Sequence, residues 1–139
     1  MDEPGMVALR PVPAVEPHTE PFWEAVREHR LVLPRCTSCG ALQFPPELAC
    51  THCGAPERIW ESASGRATLY TWTVCHPPLL PYFSEHAPWA VAVVELEEGV
   101  RMVARITGLD VDDYRIGIPL VADFEDVDDT HTLVVFRPA

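Results

Sequence analysis

The sequence predicts a mainly β chain of three parts in order: a short N-terminal helix, a small ribbon folded around four cysteines, and a C-terminal five-stranded barrel. Three observations predict it. Four of the five cysteines fall in two C-x-x-C pairs, Cys36/Cys39 and Cys50/Cys53. From residue 62 onward, short segments rich in β-branched and aromatic residues alternate with turn residues. Ahead of both, Phe22, Trp23 and Val26 fall on one face of a helical period.

Residues 1–18 are proline-rich and aperiodic, which predicts an extended arm. Thr19 suits an N-cap, and Pro21 suits the first helical turn because its missing N–H has no partner there. The helix is expected from Glu20 to about His29. Its apolar face fits either the chain's own core or another chain. A short helix ahead of a small ribbon has little of its own domain to cover, so Phe22, Trp23 and Val26 are expected to dock on a partner.

Residues 31–61 form the cysteine module, with LVLPR leading in and ERIWE returning as a strand. The spacing is C-x2-C-x10-C-x2-C, and Gly40 and Gly54 follow the two pairs. Two cysteines two residues apart ligate one ion from a tight turn, and a glycine just after lets backbone N–H groups face the sulfurs. Two such knuckles face to face give tetrahedral thiolate ligation, which suits zinc. With four protein ligands, Cys36, Cys39, Cys50 and Cys53, no position stays open, so the expected role is structural. A redox C-x-x-C needs only one pair, whereas iron in a rubredoxin-like site uses the same knuckles and remains open. His52, inside the second knuckle, is expected to be exposed and not a ligand. Cys75 is expected to be a buried apolar thiol.

Five strands are expected in residues 62–139: 67–74, 89–96, 100–106, 120–127 and 131–136. Glu97-Glu98-Gly99 makes a tight hairpin, and the polar segment 108–119 a crossover with one helical turn. Five short strands with one longer crossover fit a Greek-key barrel of the OB type, and about 75 residues is short for the alternative β-sandwich. The expected division is arm 1–18, helix and ribbon 19–61, OB-fold 62–139.

Composition narrows the function. The net charge is −11, from 10 basic and 21 acidic residues, which ill suits a nucleic-acid binder that must neutralise phosphates. The acidic run DFEDVDD at 123–129 reads as a solvated strand edge. No stretch is apolar enough to span a bilayer, the N-terminus lacks the basic-then-apolar pattern of a signal peptide, and a cytoplasmic setting is expected. No nucleophile, phosphate loop or HExxH pattern marks a catalytic centre, and Asp112, Asp113, Asp126 and Asp128 make no recognisable carboxylate pair. His76 and His86 bracket HPPLLPYFSEH, whose prolines and Leu80, Tyr82 and Phe83 look like a shaped contact surface.

The order of these features resembles a known family. FWEAVREHRLVLPRCTSCGALQFPPELACTHCG, then SGRATLYTWTVCHPP, PWAVAVVELEEGVRMVARITG, RIGIPLVADFEDV and a closing FRPA are similar to the acyl-CoA-associated zinc-ribbon/OB-fold proteins, the domain of unknown function numbered thirty-five. The resemblance covers about residues 20–139. It implies an N-terminal helix, a rubredoxin-like zinc ribbon with Cys36, Cys39, Cys50 and Cys53 as ligands, and a C-terminal OB-fold. It also implies a non-catalytic accessory subunit of a thiolase-superfamily enzyme, helping to form its acyl-CoA site. A retro-aldolase of steroid (cholesterol) side-chain degradation is the preferred partner, in a heterotetramer of two plus two, with a hotdog-fold hydratase as a further associate. An acyl-CoA thiolase or acyltransferase is the alternative partner, and a free-standing acyl-CoA or lipid carrier the alternative function. The adenine nucleotide of CoA needs basic contacts, for which Arg27, Arg30, Arg35, Arg58 and Arg66 are the candidates.

Overall fold

The computed structural model describes residues 9–139. The arm expected over 1–18 therefore lies partly outside the described residues. Its described portion carries no regular structure up to residue 16, where a turn leads into the helix.

Helix α1 (Glu20–Arg27) has Pro21 in its first turn, as expected, but stops before His29. His29 adopts a left-handed conformation (φ 59°), usually a glycine's place at a helix C-terminus. It is held there from outside the helix: its ring stacks on Phe124 at 5.2 Å, and Nε2 lies 3.0 Å from Asp126 Oδ1. Thr19 occupies the N-cap position without capping, because its hydroxyl donates to Glu16 O at 3.1 Å instead.

The ribbon is a two-stranded antiparallel sheet of β1 (Val32–Cys36) and β2 (Arg58–Ser62), with Cys36 opposite Arg58 and Val32 opposite Ser62. The remaining strands are β3 (Arg66–Cys75), β4 (Trp89–Leu96), β5 (Arg101–Ile106), β6 (Pro119–Asp126) and β7 (Thr132–Pro138). They close into a barrel in the order β3-β4-β5-β7-β6, with β5 and β7 parallel and the other neighbours antiparallel. This is the OB topology. Alternation along the strands fills the interior: Leu69, Val94, Leu96, Leu120 and Phe136 are at most 2% exposed. Residues 97–99 form the hairpin, closed by Leu96 N–H to Val100 O (2.8 Å), with Gly99 at φ 87°.

The crossover contains one 3-10 turn, Val111–Asp113, in which the Asp112 N–H donates to the Asp110 carboxylate (Oδ1, 2.9 Å). It also sends Tyr114 into the core against Trp72 (ring centroids 5.6 Å apart), and burial pushes its phenol pKa up. A second helix, α2 (Pro81–Glu85), interrupts the loop between β3 and β4. Sequence pattern missed it because Pro81 and the preceding prolines read as pure loop.

Two expectations are corrected, the free face of the helix and the enclosed Cys75. Phe22 (3% exposed) and Val26 (0%) do not form a free docking face. Helix α1 packs against β7 and β1, and both side chains join one continuous core with the ribbon and the barrel, Phe22 lying 5.4 Å from Phe44. The helix thus covers the barrel, which the sequence reading had not placed within its reach. Trp23 is half-buried at the rim of that core. Cys75 is half-buried, not enclosed, because it ends β3 opposite Trp89. The acidic run does lie at a solvated strand edge: β3 pairs only with Pro119–Val121 of β6, so Asp123–Asp126 pair with β7 alone, and Asp123, Asp126, Asp128 and Asp129 are exposed.

Candidate metal centre and docking face

The two knuckles repeat one backbone pattern. Gly40 N–H donates to Cys36 O at 3.0 Å, and Gly54 N–H to Cys50 O at 2.9 Å. Cys36 N–H donates to Ala41 O, and Cys50 N–H to Ala55 O, both at 2.8 Å. Both glycines need positive φ (78° and 79°), which side-chain-bearing residues adopt at a cost. Backbone N–H groups face the sulfurs: those of Ser38 and Cys39 lie 3.4 Å from Cys36 Sγ, and that of His52 lies 3.3 Å from Cys50 Sγ. The N–H groups of Cys39 and Ser38, in that order, hold the Cys36 thiol down to about 6. Those of Cys53 and His52 lower Cys50 in the same way.

All four Sγ atoms lie within 4.8 Å of one another. Cys36–Cys53 and Cys39–Cys50 are each 3.6 Å apart. A tetrahedron with zinc–sulfur bonds of about 2.3 Å has edges of about 3.8 Å, so the sulfurs stand where zinc would hold them. Four thiolates this close repel one another, and a dication between them removes that repulsion. The set is able to bind zinc through Cys36, Cys39, Cys50 and Cys53, with no fifth position for a substrate. His52 is exposed, and the close-set ligand group includes the four cysteines alone.

The five arginines expected to contact CoA do not converge. Arg35 and Arg58 lie at adjacent ladder positions, Arg35 opposite Ile59 and Arg58 opposite Cys36, and so point to opposite faces of the ribbon. Arg35 holds Glu61 (2.6 Å), Arg30 holds Glu28 (2.7 Å), and Arg66 holds Glu97 (2.8 Å). Arg58 lines a small cavity with Cys36, Gln43 and Cys50, and its Nη1 is buried without a hydrogen-bond partner among the described residues. Arg27 is exposed on α1 and lines a cavity with Trp23, Thr130 and His131.

The aromatic loop is better organised than the arginines. Phe83 and Tyr82 pack edge-on against Trp89, at 4.9 and 6.1 Å, and His86 tilts over Tyr82 at 4.3 Å, its Nδ1 on Tyr82 O at 2.7 Å. Leu80 stands 61% exposed beside them. Arg10, from the arm, lies 5.3 Å over the Tyr82 ring and hydrogen-bonds Glu125, and Arg105 lies over Trp89 and hydrogen-bonds the same carboxylate. Burial pushes the Glu125 carboxyl up, but the two guanidinium groups outweigh it and hold the carboxyl below its ordinary range. Of these residues, Trp89, Arg10, Arg105 and Glu125 were not singled out from sequence as site residues.

The loop between β6 and β7 is built on Asp128. Its Oδ1 accepts from the N–H groups of Thr130 and His131, both at 2.8 Å, and from Thr130 Oγ1 at 3.0 Å. These bonds, led by the Thr130 N–H, lower its carboxyl to about 2. A depressed folded value stabilises above the unfolded value of about 3.9 and ceases to do so as pH falls through about 2. The side-chain carboxyl carbon of Asp128 should therefore titrate by NMR near pH 2, and a midpoint near 4 would show the loop bonds absent in solution.

A closed four-thiolate ribbon joined through one core to an OB barrel defines the class: a zinc-ribbon/OB-fold protein with a structural metal site. Two family descriptions match it, "ChsH2, rubredoxin-like zinc ribbon domain" over residues 23–57 and "ChsH2, C-terminal OB-fold domain" over residues 60–125. The chain belongs to the ChsH2-type zinc-ribbon/OB-fold family, known as DUF35.

It is 41% identical over 132 residues to a probable enoyl-CoA hydratase alpha subunit of Thermomonospora curvata, covering 95% of this chain and 41% of that protein. It is 35% identical to the 3-oxo-4,17-pregnadiene-20-carboxyl-CoA hydratase alpha subunit of Mycobacterium tuberculosis, covering 78% of this chain and 34% of that one. The chain thus spans 41% and 34% of the length of these two relatives. A DUF35 domain-containing scaffold protein of Methanocaldococcus jannaschii is 34% identical, with 77% of this chain and 79% of that protein covered. Among solved structures, a chain of the Ltp2-ChsH2(DUF35) aldolase superposes with a TM-score of 0.81 at 39% identity, covering 91% of this chain and 98% of that one.

Proposed function

We propose that this chain is a non-catalytic accessory subunit that docks on a thiolase-fold enzyme and helps enclose its acyl-CoA substrate. The enzyme is a retro-aldolase acting in steroid side-chain degradation. The observation that carries this reading is the likeness, along nearly its whole length, to the ChsH2(DUF35) chain of an aldolase complex. The pregnadiene-carboxyl-CoA named for one relative supports a steroidal thioester, and the hydratase names of two relatives support a hydratase as a further associate. The site chemistry fits, since a metal closed by four thiolates supports structure and not turnover.

With Phe22 and Val26 committed to the core, docking falls to Trp23 and to Leu80, Tyr82 and Phe83 around α2. Among the arginines, Arg27 has the best claim to a CoA phosphate, because it is exposed beside Trp23 while Arg30, Arg35 and Arg66 already hold acids.

Co-expression with the thiolase-fold aldolase subunit, followed by size exclusion with mass measurement, tests the reading. A stable species of two plus two subunits is expected, and separate elution would refute it. Calorimetry of the chain alone with long-chain and steroidal CoA thioesters separates this reading from a free-standing carrier, which alone predicts strong binding without the enzyme.

A further inference from the structure

The outer surface of an OB barrel is normally polar, yet one strip of this one is not. Along β5, Met102, Ala104 and Ile106 fill the interior, so Arg101, Val103 and Arg105 face outward. Val103 is 65% exposed, an aliphatic side chain between two arginines. It opens onto a groove of about 290 Å³ whose floor includes Val91, Val103, Leu133 and Val135, and whose walls include Trp23, Phe83 and Trp89.

The groove lies where the barrel parts. Strands β5 and β7 pair only through Arg105–Val135 and Ile106–Phe136, followed by Thr107 N–H to Phe136 O at 2.7 Å. Beyond those pairs, Met102–Ala104 of β5 and Thr132–Val134 of β7 are not paired with each other, although β5 pairs with β4 and β7 with β6 on their other sides. Among the described residues, each strand therefore presents an unpaired backbone edge to the groove. Such edges are templates for an added strand. Arg10 and Pro11 of the arm border the groove. No backbone hydrogen bond joins described arm residues 9–15 to either edge.

Charge narrows the occupant. Two guanidinium groups, Arg10 and Arg105, share one carboxylate, Glu125, leaving one positive charge in excess at the groove wall. Arg105 Nε is buried with no hydrogen-bond partner among the described residues. A small apolar ligand would use the floor and the aromatic wall but leave the backbone edges unused. An extended peptide uses all three features.

We propose that this groove takes an extended segment of the partner enzyme, pairing with the open edge of β5 or β7. Alternate side chains of that segment are apolar and meet Val103 and Trp89, and one carboxylate meets Arg105. The proposal rests on the accessory-subunit reading above and gives that reading a specific interface.

The test uses the full chain, loaded with zinc, and the thiolase-fold aldolase subunit Ltp2 as probe. Hydrogen exchange is compared for the free chain and the mixture, alongside the affinity of Val103→Glu. Zinc content and thermal melting of the variant are checked first, and Ile116→Glu, at a position 76% exposed on the crossover, serves as control. The expected result is at least tenfold slower exchange at residues 102–104 and 132–134 on mixing, with at least tenfold weaker binding by Val103→Glu and unchanged binding by Ile116→Glu. A complex that forms without that protection, or that Val103→Glu joins as well as the unaltered chain, overturns the groove assignment and leaves the accessory role standing. No complex with the unaltered chain overturns both.

Discussion

Replacing Cys36 by Ser is expected to unfold the ribbon and abolish partner docking while the barrel still folds. Cys36 is the most enclosed of the four ligands, 5% exposed at the end of β1, with two backbone N–H groups on its sulfur. Binding free energies at structural zinc sites run to about 10–16 kcal/mol, and that energy is folding energy. Apart from Leu31 and Leu33, which it lends to the shared core, little else holds the ribbon. Its sheet has two strands and five residue pairs, and an isolated pair of strands is marginal in water. Losing one thiolate should reduce zinc below one ion per chain and expose the amides of residues 32–62 to exchange. The barrel amides should stay protected, because ten of the fifteen residues of the shared core come from its own five strands. Full zinc content in Cys36→Ser would refute the ligand assignment.

The second large effect is expected at Phe22. Truncating a buried Phe to Ala costs about 3–5 kcal/mol. At 3% exposure, in contact with Phe44 and joined to the barrel core, Phe22→Ala should lower the melting temperature of the isolated chain by about 10 °C. Trp23, one position on and half-buried at the groove, should show the reverse balance: a smaller loss of stability for Trp23→Ala and a clear loss of partner affinity. Equal melting temperatures for Phe22→Ala and the unaltered chain would restore the free-face reading of the helix.

That contrast marks what was legible in the sequence. The metal site was, because knuckle chemistry is local: two residues between ligands, then a glycine that can take positive φ. The strands were, to within one or two residues, because inward and outward positions alternate along each of them. The destination of the helix was not. Periodicity says that Phe22 and Val26 share a face but not which surface covers it, and that surface includes β7, more than a hundred residues along the chain. The Arg10–Glu125 pair spans 115 positions and had no local signature. Val103 did have one: an outward aliphatic residue between two outward arginines in VRMVARI was visible before any fold was known. The solvated edge of the acidic run was legible from composition, but the partners its members hold were not. Glu125 meets Arg10 and Arg105, and Asp126 meets His29 and the buried Thr132 hydroxyl at 2.7 Å.

On the function proposed above, a thiolate-locked ribbon, an embedded helix and a barrel with one apolar strip outside serve a partner's reaction. Reconstitution of activity tests that role most directly. Aldolase turnover of a steroidal CoA thioester is measured with the thiolase-fold subunit alone, with this chain alone, and with both. The account predicts turnover only in the mixture, saturating at one accessory chain per enzyme subunit. Full activity of the enzyme without this chain, or turnover by this chain without the enzyme, would contradict it.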